Sequence, residues 1–153
     1  MKVTDRKTLL EKWLLHATRK AYAHASCAQR SRTWRRIIGV PSVLLSAIVG
    51  TAVFAELENS EVIGRFTVIV MVLCSAALTS LQTFFNYGEV EQVHKAADKK
   101  YSQVRRKLDR NLADVNKVTE DGLKLIEQML NEASEIEPSI PDKVWEKMER
   151  KIT

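Results

Sequence analysis

The positions of apolar and charged residues divide this chain into two kinds of sequence. Residues 37–55 and residues 66–87 contain no charged side chain, whereas Lys, Arg, Asp and Glu are dense in the rest of the chain. Each uncharged stretch is about 20 residues long, and a helix of that length spans the roughly 30 Å hydrocarbon core of a bilayer. The pattern therefore predicts two transmembrane helices, one in each stretch.

The link between the two stretches, residues 56–65, is short and acidic. A short link makes consecutive helices antiparallel neighbours, so we expect a helical hairpin. A soluble protein that buries both stretches is the alternative, but soluble helices of this length normally keep a polar face. A cleaved signal peptide is disfavoured, because the hydrophilic lead over residues 1–36 is far longer than a usual n-region.

The charged segments carry the spacing of packed helices. In residues 5–36 and again in residues 88–133, apolar or small residues recur at intervals of four and three, which is typical of a packed helix pair. Residues 139–152 predict a last short amphipathic helix, with Ser139 as its N-cap and Pro141 near its first turn. The seam positions are Leu10, Leu14, Ala17, Ala21, His24 and Ala28 in the first helix, and Val90, His94, Ala97, Tyr101, Val104, Leu108, Asn111, Val115, Val118, Gly122, Leu125 and Met129 in the second.

These elements predict an all-α fold in a single domain over residues 1–153. We expect an integral membrane hairpin whose long N- and C-terminal helices pack together, with Trp13 and His24 facing His94 and Tyr101. Lys and Arg are in excess before the first span, the segment after the second span begins with a basic stretch (residues 95–107), and the link has almost no Lys or Arg. By the positive-inside rule, the protein is then a multi-pass inner-membrane protein with both termini in the cytoplasm and an extracytoplasmic link.

Polar residues inside the predicted spans fall on defined faces. Ser42, Ser46 and Gly50 recur every four residues, a small-residue stripe that allows helices to pack closely in lipid. A polar face on the second span either hydrogen-bonds to a neighbouring helix or lines a water-filled pore, and two helices are too few to enclose water without several copies in a ring. The candidate pore-lining residues are Ser75, Thr79, Gln82, Thr83 and Asn86.

Catalytic chemistry is not indicated by the sequence. It contains no nucleophile beside a base, no phosphate-binding Gly loop and no metal-ligand cluster, so we expect no enzymatic activity, cofactor or metal. Cys27 and Cys74 lie in different kinds of segment and predict no disulfide. His24 and His94 lie on the helix seams, where hydrogen bonding between helices is favoured over a pH-sensing role. Basic residues alternate with acidic ones, so nucleic-acid binding is not expected.

The order of these features resembles a SLATT domain, the SMODS- and SLOG-associating two-transmembrane effector domain of bacterial conflict systems. The resemblance is carried by Trp13 and His24, by Gly39-Val40-Pro41, by residues 78–85 (LTSLQTFF), and by His94, Ala97 and Tyr101 on the next helix. It extends from about Leu9 to the C-terminal helices and is least clear beyond Gly122.

This resemblance implies an effector that forms homo-oligomeric pores. Such a protein permeabilises the inner membrane when an anti-phage system senses infection, which leads to abortive infection. A sensor or nucleotidyltransferase-type protein would be its partner, together with membrane lipid. Two other functions remain open: a non-conducting membrane scaffold that recruits a partner, and a holin-like lysis protein.

Overall fold

A computed structural model describes the backbone of residues 3–56 and 62–152, and the side chains of residues 3–51 and 66–152. Within these ranges all regular secondary structure is helical, which confirms the predicted all-α class. The predicted link overlaps residues 57–61, which lie outside the described residues. The helices are α1 (Val3–Glu56), α2 (Val62–Phe85), α3 (Tyr87–Ala113), a 3-10 helix (Val115–Lys117), α4 (Glu120–Glu135) and α5 (Asp142–Lys151).

Helix α1 is one continuous helix of 54 residues, although the sequence predicts separate helices over residues 5–36 and 37–55. Pro41 lies inside α1 and removes one backbone donor. Proline is tolerated inside transmembrane helices because neighbouring helices and Ser or Thr hydroxyls satisfy the freed carbonyls. The helix therefore continues without a break where the sequence changes from charged to apolar, after residue 36.

Asn86 separates α2 from α3. Its φ is 39°, in the left-handed region that few non-glycine residues adopt, and asparagine is among the residues that tolerate it. The side chain of Asn86 hydrogen-bonds to the carboxylate of Glu89, and Glu89 N donates to Asn86 O at 3.0 Å. The second apolar helix therefore ends at Phe85, two residues earlier than predicted, and Asn86 lies at the joint rather than on the polar face of α2.

The predicted helix over residues 88–133 is divided into α3 and α4. Residues 114–119 contain two valines, a threonine, an asparagine and an aspartate, which are all poor helix formers. Thr119 adopts an extended conformation, and its hydroxyl accepts a hydrogen bond from Gly122 N as the N-cap of α4. Arg6 donates to the carbonyl of Val118 at 2.9 Å and pairs with Glu120 at 2.8 Å, so α1 stabilises the break.

The break also changes which face of α4 is buried. The uninterrupted spacing predicts Gly122 and Leu125 on the seam, but Leu125 is 44% exposed while Leu123 and Ile126 are buried. In α3 the prediction is confirmed from His94 to Leu108, but Val90 is exposed and the neighbouring Glu91 is buried; in α4 the prediction is one residue out of phase. After a non-helical segment, the next helix can have any orientation about its own axis. A spacing rule that assumes one continuous helix does not predict that orientation.

The chain forms two compact units. The first, here called the bundle, comprises residues up to Arg30 and from Val90 onward; the second, here called the apolar unit, comprises Ser31–Glu89. In the bundle, α1 packs on α3 and α4 around Leu10, Tyr101, Leu108 and Ile126, all nearly inaccessible to water. Trp13 and Leu14 pack against this core from its edge.

Helix α5 begins later than the sequence predicts. Its first residue is Asp142, and its N-cap is Pro141 instead of Ser139, with no side-chain cap. The carbonyl of Pro141 accepts hydrogen bonds from Val144 N and Trp145 N. Met148 is buried and Arg19 of α1 donates to Ile152 O at 2.9 Å, so α5 is part of the bundle.

We expect Thr119→Ala to lower the free energy of unfolding by about 1 kcal/mol, because it removes the N-cap of α4. Denaturant unfolding of the detergent-solubilised protein, followed by far-ultraviolet circular dichroism, measures this change. Thr119→Ser keeps the hydroxyl and is the matched control, with a much smaller loss expected. Equal stability of the alanine variant and the unmutated protein would contradict the role assigned to Thr119.

Candidate functional site

The two helices of the apolar unit pack through small and polar side chains. Ser42 Oγ lies 3.1 Å from Thr79 Oγ1, and Ser46 Oγ lies 2.8 Å from Ser75 Oγ. A Cβ placed on Gly39 would lie 3.4 Å from Gln82 Nε2. Because the residue number falls on α2 as it rises on α1, the two helices are antiparallel in this unit. We call this contact, formed by Gly39, Ser42, Ser46, Ser75, Thr79 and Gln82, the polar seam.

The polar seam brings together three of the five residues that the sequence nominates as pore-lining. Ser75, Thr79 and Gln82 lie against α1, where the serines and a glycine allow close approach. Thr83 is exposed, and its hydroxyl donates to the carbonyl of Thr79 in its own helix at 3.0 Å. Asn86 lies outside α2, at the joint with α3. A Cβ on Gly50, which the small-residue stripe includes, would meet no described atom within 4 Å.

In the apolar unit, the distribution of polar and apolar side chains between inside and outside is the reverse of that in a water-soluble protein. Among its described side chains, the buried ones are those of Ser31 and Ser42. Its large apolar side chains point outward, with Val43 70%, Leu73 64% and Phe84 82% exposed. A soluble monomer does not normally expose a continuous apolar surface of this extent. This distribution is the one expected of helices whose solvent is lipid.

One helical stretch among the described residues, Phe66–Ala113, contains a window long and apolar enough to cross a bilayer. None of that window is buried. A core helix of a soluble protein can be equally long and apolar, but its apolar residues are then covered by the rest of the protein. The exposure of this window therefore favours association with a membrane.

A second group of polar side chains lies inside the bundle. His24 of α1 is fully buried, and its Nδ1 lies 3.0 Å from Nδ1 of His94 on α3. Its Nε2 lies 3.4 Å from Glu137 Oε2, and Tyr101 OH donates to the same oxygen at 2.6 Å. Lys20 pairs with the other oxygen of Glu137 at 2.6 Å. We call these five residues the histidine cluster.

The chemistry of the partners determines where the protons of the two histidines lie. A carboxylate can only accept, so Nε2 of His24 carries the proton that faces Glu137. When His24 is neutral, its Nδ1 is an acceptor and receives the Nδ1 proton of His94. Two fully protonated rings would place two N–H groups against each other at 3.0 Å. The cluster therefore accommodates the pair only when at least one histidine is neutral.

The pKa values of the cluster follow from burial and from Glu137. Burial lowers the pKa of His24, and it outweighs the opposing effects of Glu137 and Asp98. Burial, and then the charge of His24, lower the pKa of His94. Hydrogen bonds from Lys20 and Tyr101 lower the pKa of Glu137 even though its burial acts in the opposite direction. At neutral pH the cluster thus contains neutral histidines and an ionised Glu137, which pairs with Lys20.

Glu137 is the central residue of the cluster, and sequence reasoning did not identify it. It directly precedes Pro138, after the helical spacing has ended, so no periodicity connects it with the seam of α1 and α3. The available signal was indirect: two buried histidines and a lysine one turn before His24 require an acidic partner. Within the described residues, no three His, Cys, Asp or Glu side chains are arranged to hold a metal ion.

A family model described as SMODS and SLOG-associating 2TM effector domain family 4 matches residues 17–136. The matched range includes most of α1, all of α2 and α3, and α4. It ends one residue before Glu137, so α5 lies beyond it. No curated protein matches the chain, and no solved structure matches it.

The polar seam predicts a specific disulfide between the two helices. With Cys27→Ala and Cys74→Ala as background, the pair Ser46→Cys and Ser75→Cys should cross-link within one chain under mild oxidation. The native hydroxyl oxygens of Ser46 and Ser75 are 2.8 Å apart, so the two side chains already point at each other. A disulfide between cysteines at these positions requires their Cβ atoms to lie about 3.5–4.5 Å apart. Thiol alkylation followed by intact mass measures the reaction in membranes. The control pair Val43→Cys and Ser75→Cys should stay reduced, and equally fast cross-linking of both pairs would contradict the helix register.

The histidine cluster predicts that the bundle loses stability in mild acid. A histidine whose folded pKa is lowered contributes stability above its ordinary pKa of about 6.5, and this contribution is lost as the pH falls below that value. The free energy of unfolding should therefore decrease between pH 7.5 and 5.5, as measured by thermal or denaturant unfolding in detergent. Glu137, whose pKa is also lowered, loses its contribution only at lower pH, near and below the ordinary value of 4.5.

The matched variants separate this effect from general acid sensitivity. His24→Gln with His94→Gln should be less stable at pH 7.5 but should change less with pH. His16→Gln should keep the larger part of the pH dependence, because His16 lies outside the cluster, although burial lowers its pKa as well. A double variant with an unchanged pH dependence would show that other groups cause it.

Proposed function

The chain belongs to the SMODS and SLOG-associating 2TM effector domain family 4, and we propose that it is an oligomeric pore-forming effector of a bacterial anti-phage system. In this proposal, residues 37–55 and 66–87 cross the inner membrane as a hairpin. Several copies form a ring that permeabilises the membrane after infection is sensed, which causes abortive infection. The family is one of effector domains and not a known enzyme family, so no catalytic step is assigned.

The inverted distribution of side chains in the apolar unit is the observation that carries this proposal. Ser31 and Ser42 are buried while Val43, Leu73 and Phe84 face outward. In water this arrangement would expose a large apolar surface, and in lipid the same surface needs no protein cover. The outward face therefore supports insertion in a bilayer, either against lipid or against other copies of the chain.

The charges of the apolar unit support an orientation with both termini in the cytoplasm. Arg32, Arg35 and Arg36 precede the apolar part of α1, and a Cβ on Gly88 would lie 3.7 Å from Arg35 Nη1. The two helices thus place their basic and aromatic residues at the same end, which also carries Phe85 and Tyr87. The positive-inside rule assigns that end to the cytoplasmic face.

Water conduction by this unit requires more than one copy. Ser42 and Thr79 hydrogen-bond to each other within the hairpin. Ser46, Thr79 and Thr83 are nevertheless exposed, and together they form an edge of hydroxyl groups. In a ring of hairpins this edge would face the axis, and hydroxyl oxygens that already donate to helix carbonyls can still accept from water. In this proposal, a change in the packing of the bundle opens the lining.

The contacts of the polar seam also favour a second function, a non-conducting membrane scaffold. The hydrogen bonds Ser42–Thr79 and Ser46–Ser75 satisfy polar groups that would otherwise need water. A ring with a dry axis would then recruit a partner through the bundle. For either function we propose a sensor or nucleotidyltransferase-type protein as the partner, in line with the SMODS and SLOG association in the family description.

Expression in a bacterial host with a potential-sensitive dye tests the pore directly. The full chain should depolarise the inner membrane, and Thr79→Val with Gln82→Leu should suppress this while oligomers persist in mild detergent. Both substitutions remove polar groups from the proposed water path. The matched control, Val43→Leu with Leu73→Ile, changes the outward apolar face and should depolarise as before.

Each outcome distinguishes among the functions. Full depolarisation by the Thr79 and Gln82 variant, with intact Ser46–Ser75 packing, would show that the proposed lining is wrong. Oligomers of the unmutated chain without depolarisation would favour the scaffold. Release of cytoplasmic enzymes, rather than ions alone, would favour a holin-like lysis protein.

A further inference from the structure

We propose that a groove between α3 and α4 binds a phosphate group, supplied by either a soluble phosphomonoester or the headgroup of an anionic lipid. The groove has a volume of about 280 Å³. Its lining residues are Gln103, Arg106, Lys107, Arg110 and Asn111 of α3, and Met129 of α4. The inference does not depend on conduction, because all of these residues belong to the bundle.

The sequence of α3 places these donors on one face. Gln103 is followed at intervals of three, four, seven and eight residues by the other four, which is the spacing of a single helical stripe. Met129 of α4 contributes to the opposite wall. The helix therefore presents three cations and two side-chain amides to the same small volume.

The three cations of the groove have no acidic partner among the described residues, whereas some other basic residues of the bundle do. Lys100 pairs with Glu132 at 3.3 Å, and Lys117 pairs with Asp114 at 2.7 Å. Arg106, Lys107 and Arg110 make no described hydrogen bond or ion pair. Asp109, the nearest acidic residue in sequence, forms no described ion pair with them. The groove thus concentrates positive charge that the bundle itself leaves uncompensated.

The donors match the geometry of a phosphate group. A guanidinium presents two parallel N–H groups that suit two oxygens of a phosphate, and charge-assisted bonds of this kind are stronger than neutral ones. The side-chain amides of Gln103 and Asn111 add neutral donors. At about 280 Å³, the groove is slightly smaller than typical ligand sites, which span about 300–1,000 Å³. Its size therefore suits a phosphate headgroup rather than a large ligand.

The experiment uses the full chain in nanodiscs and measures its thermal unfolding. In discs of neutral lipid, inorganic phosphate should raise the midpoint in a dose-dependent way, beyond the effect of chloride at the same ionic strength. Arg106→Gln with Arg110→Gln should weaken the apparent affinity for phosphate at least tenfold. Lys124→Gln with Lys143→Gln removes the same charge outside the groove and should leave the affinity unchanged.

A second arm distinguishes the two sources of phosphate. Discs that contain phosphatidic acid present a phosphomonoester on a lipid. A stabilisation that appears in these discs, and is lost in the Arg106 and Arg110 variant, would assign the groove to lipid headgroups. Stabilisation by inorganic phosphate in neutral discs would assign it to a soluble ligand. The proposal is overturned if neither source stabilises the protein, or if chloride or the groove variant gives the same shift as phosphate.

Discussion

The hydrogen bonds between hydroxyl side chains of α1 and α2 are the interaction on which the rest of the structure depends. Ser42 with Thr79, and Ser46 with Ser75, satisfy polar groups at the contact of two otherwise apolar helices. In lipid there is no hydrophobic force to hold helices together, so small residues and such hydrogen bonds provide the association. Because small hydroxyl side chains occupy the contact, large apolar side chains such as Val43 and Leu73 face outward, and a bilayer becomes the natural solvent of this unit.

The bundle follows the opposite rule, that of a soluble protein. Its apolar side chains are inside, around Leu10, Tyr101, Leu108 and Ile126, and its charged residues are mostly outside. The exceptions are Glu91, which is buried, and the histidine cluster, where His24 and His94 are buried and depend on Glu137 for their proton arrangement. Buried polar networks of this kind are costly when incomplete, since an unpaired group retains its desolvation penalty. The segment that carries Glu137 is therefore an essential part of the bundle core.

Part of this organisation could be predicted from residue spacing. The seam of α1 and the part of α3 up to Leu108 have a helical period, so His24, Ala97, Tyr101 and Leu108 were expected inside and are buried. The period is informative there because the helix is uninterrupted. After residue 113 the rule places Leu125 inside, whereas the structure buries Leu123 and Ile126. The phase was lost because the turn capped by Thr119 rotates α4, and local spacing does not encode that rotation.

The sequence by itself determined the helical class, the two apolar stretches and the family, because hydrophobicity, charge and motif order are properties of individual residues and their neighbours. The tertiary structure decided which polar groups meet: Ser75 and Thr79 lie against α1, and Glu137 lies beside His24 although 113 residues separate them. It also decided that Arg106, Lys107 and Arg110 share a groove without an acidic partner. Contacts between residues distant in sequence depend on how helices rotate and dock, and that information exists only once the chain has packed.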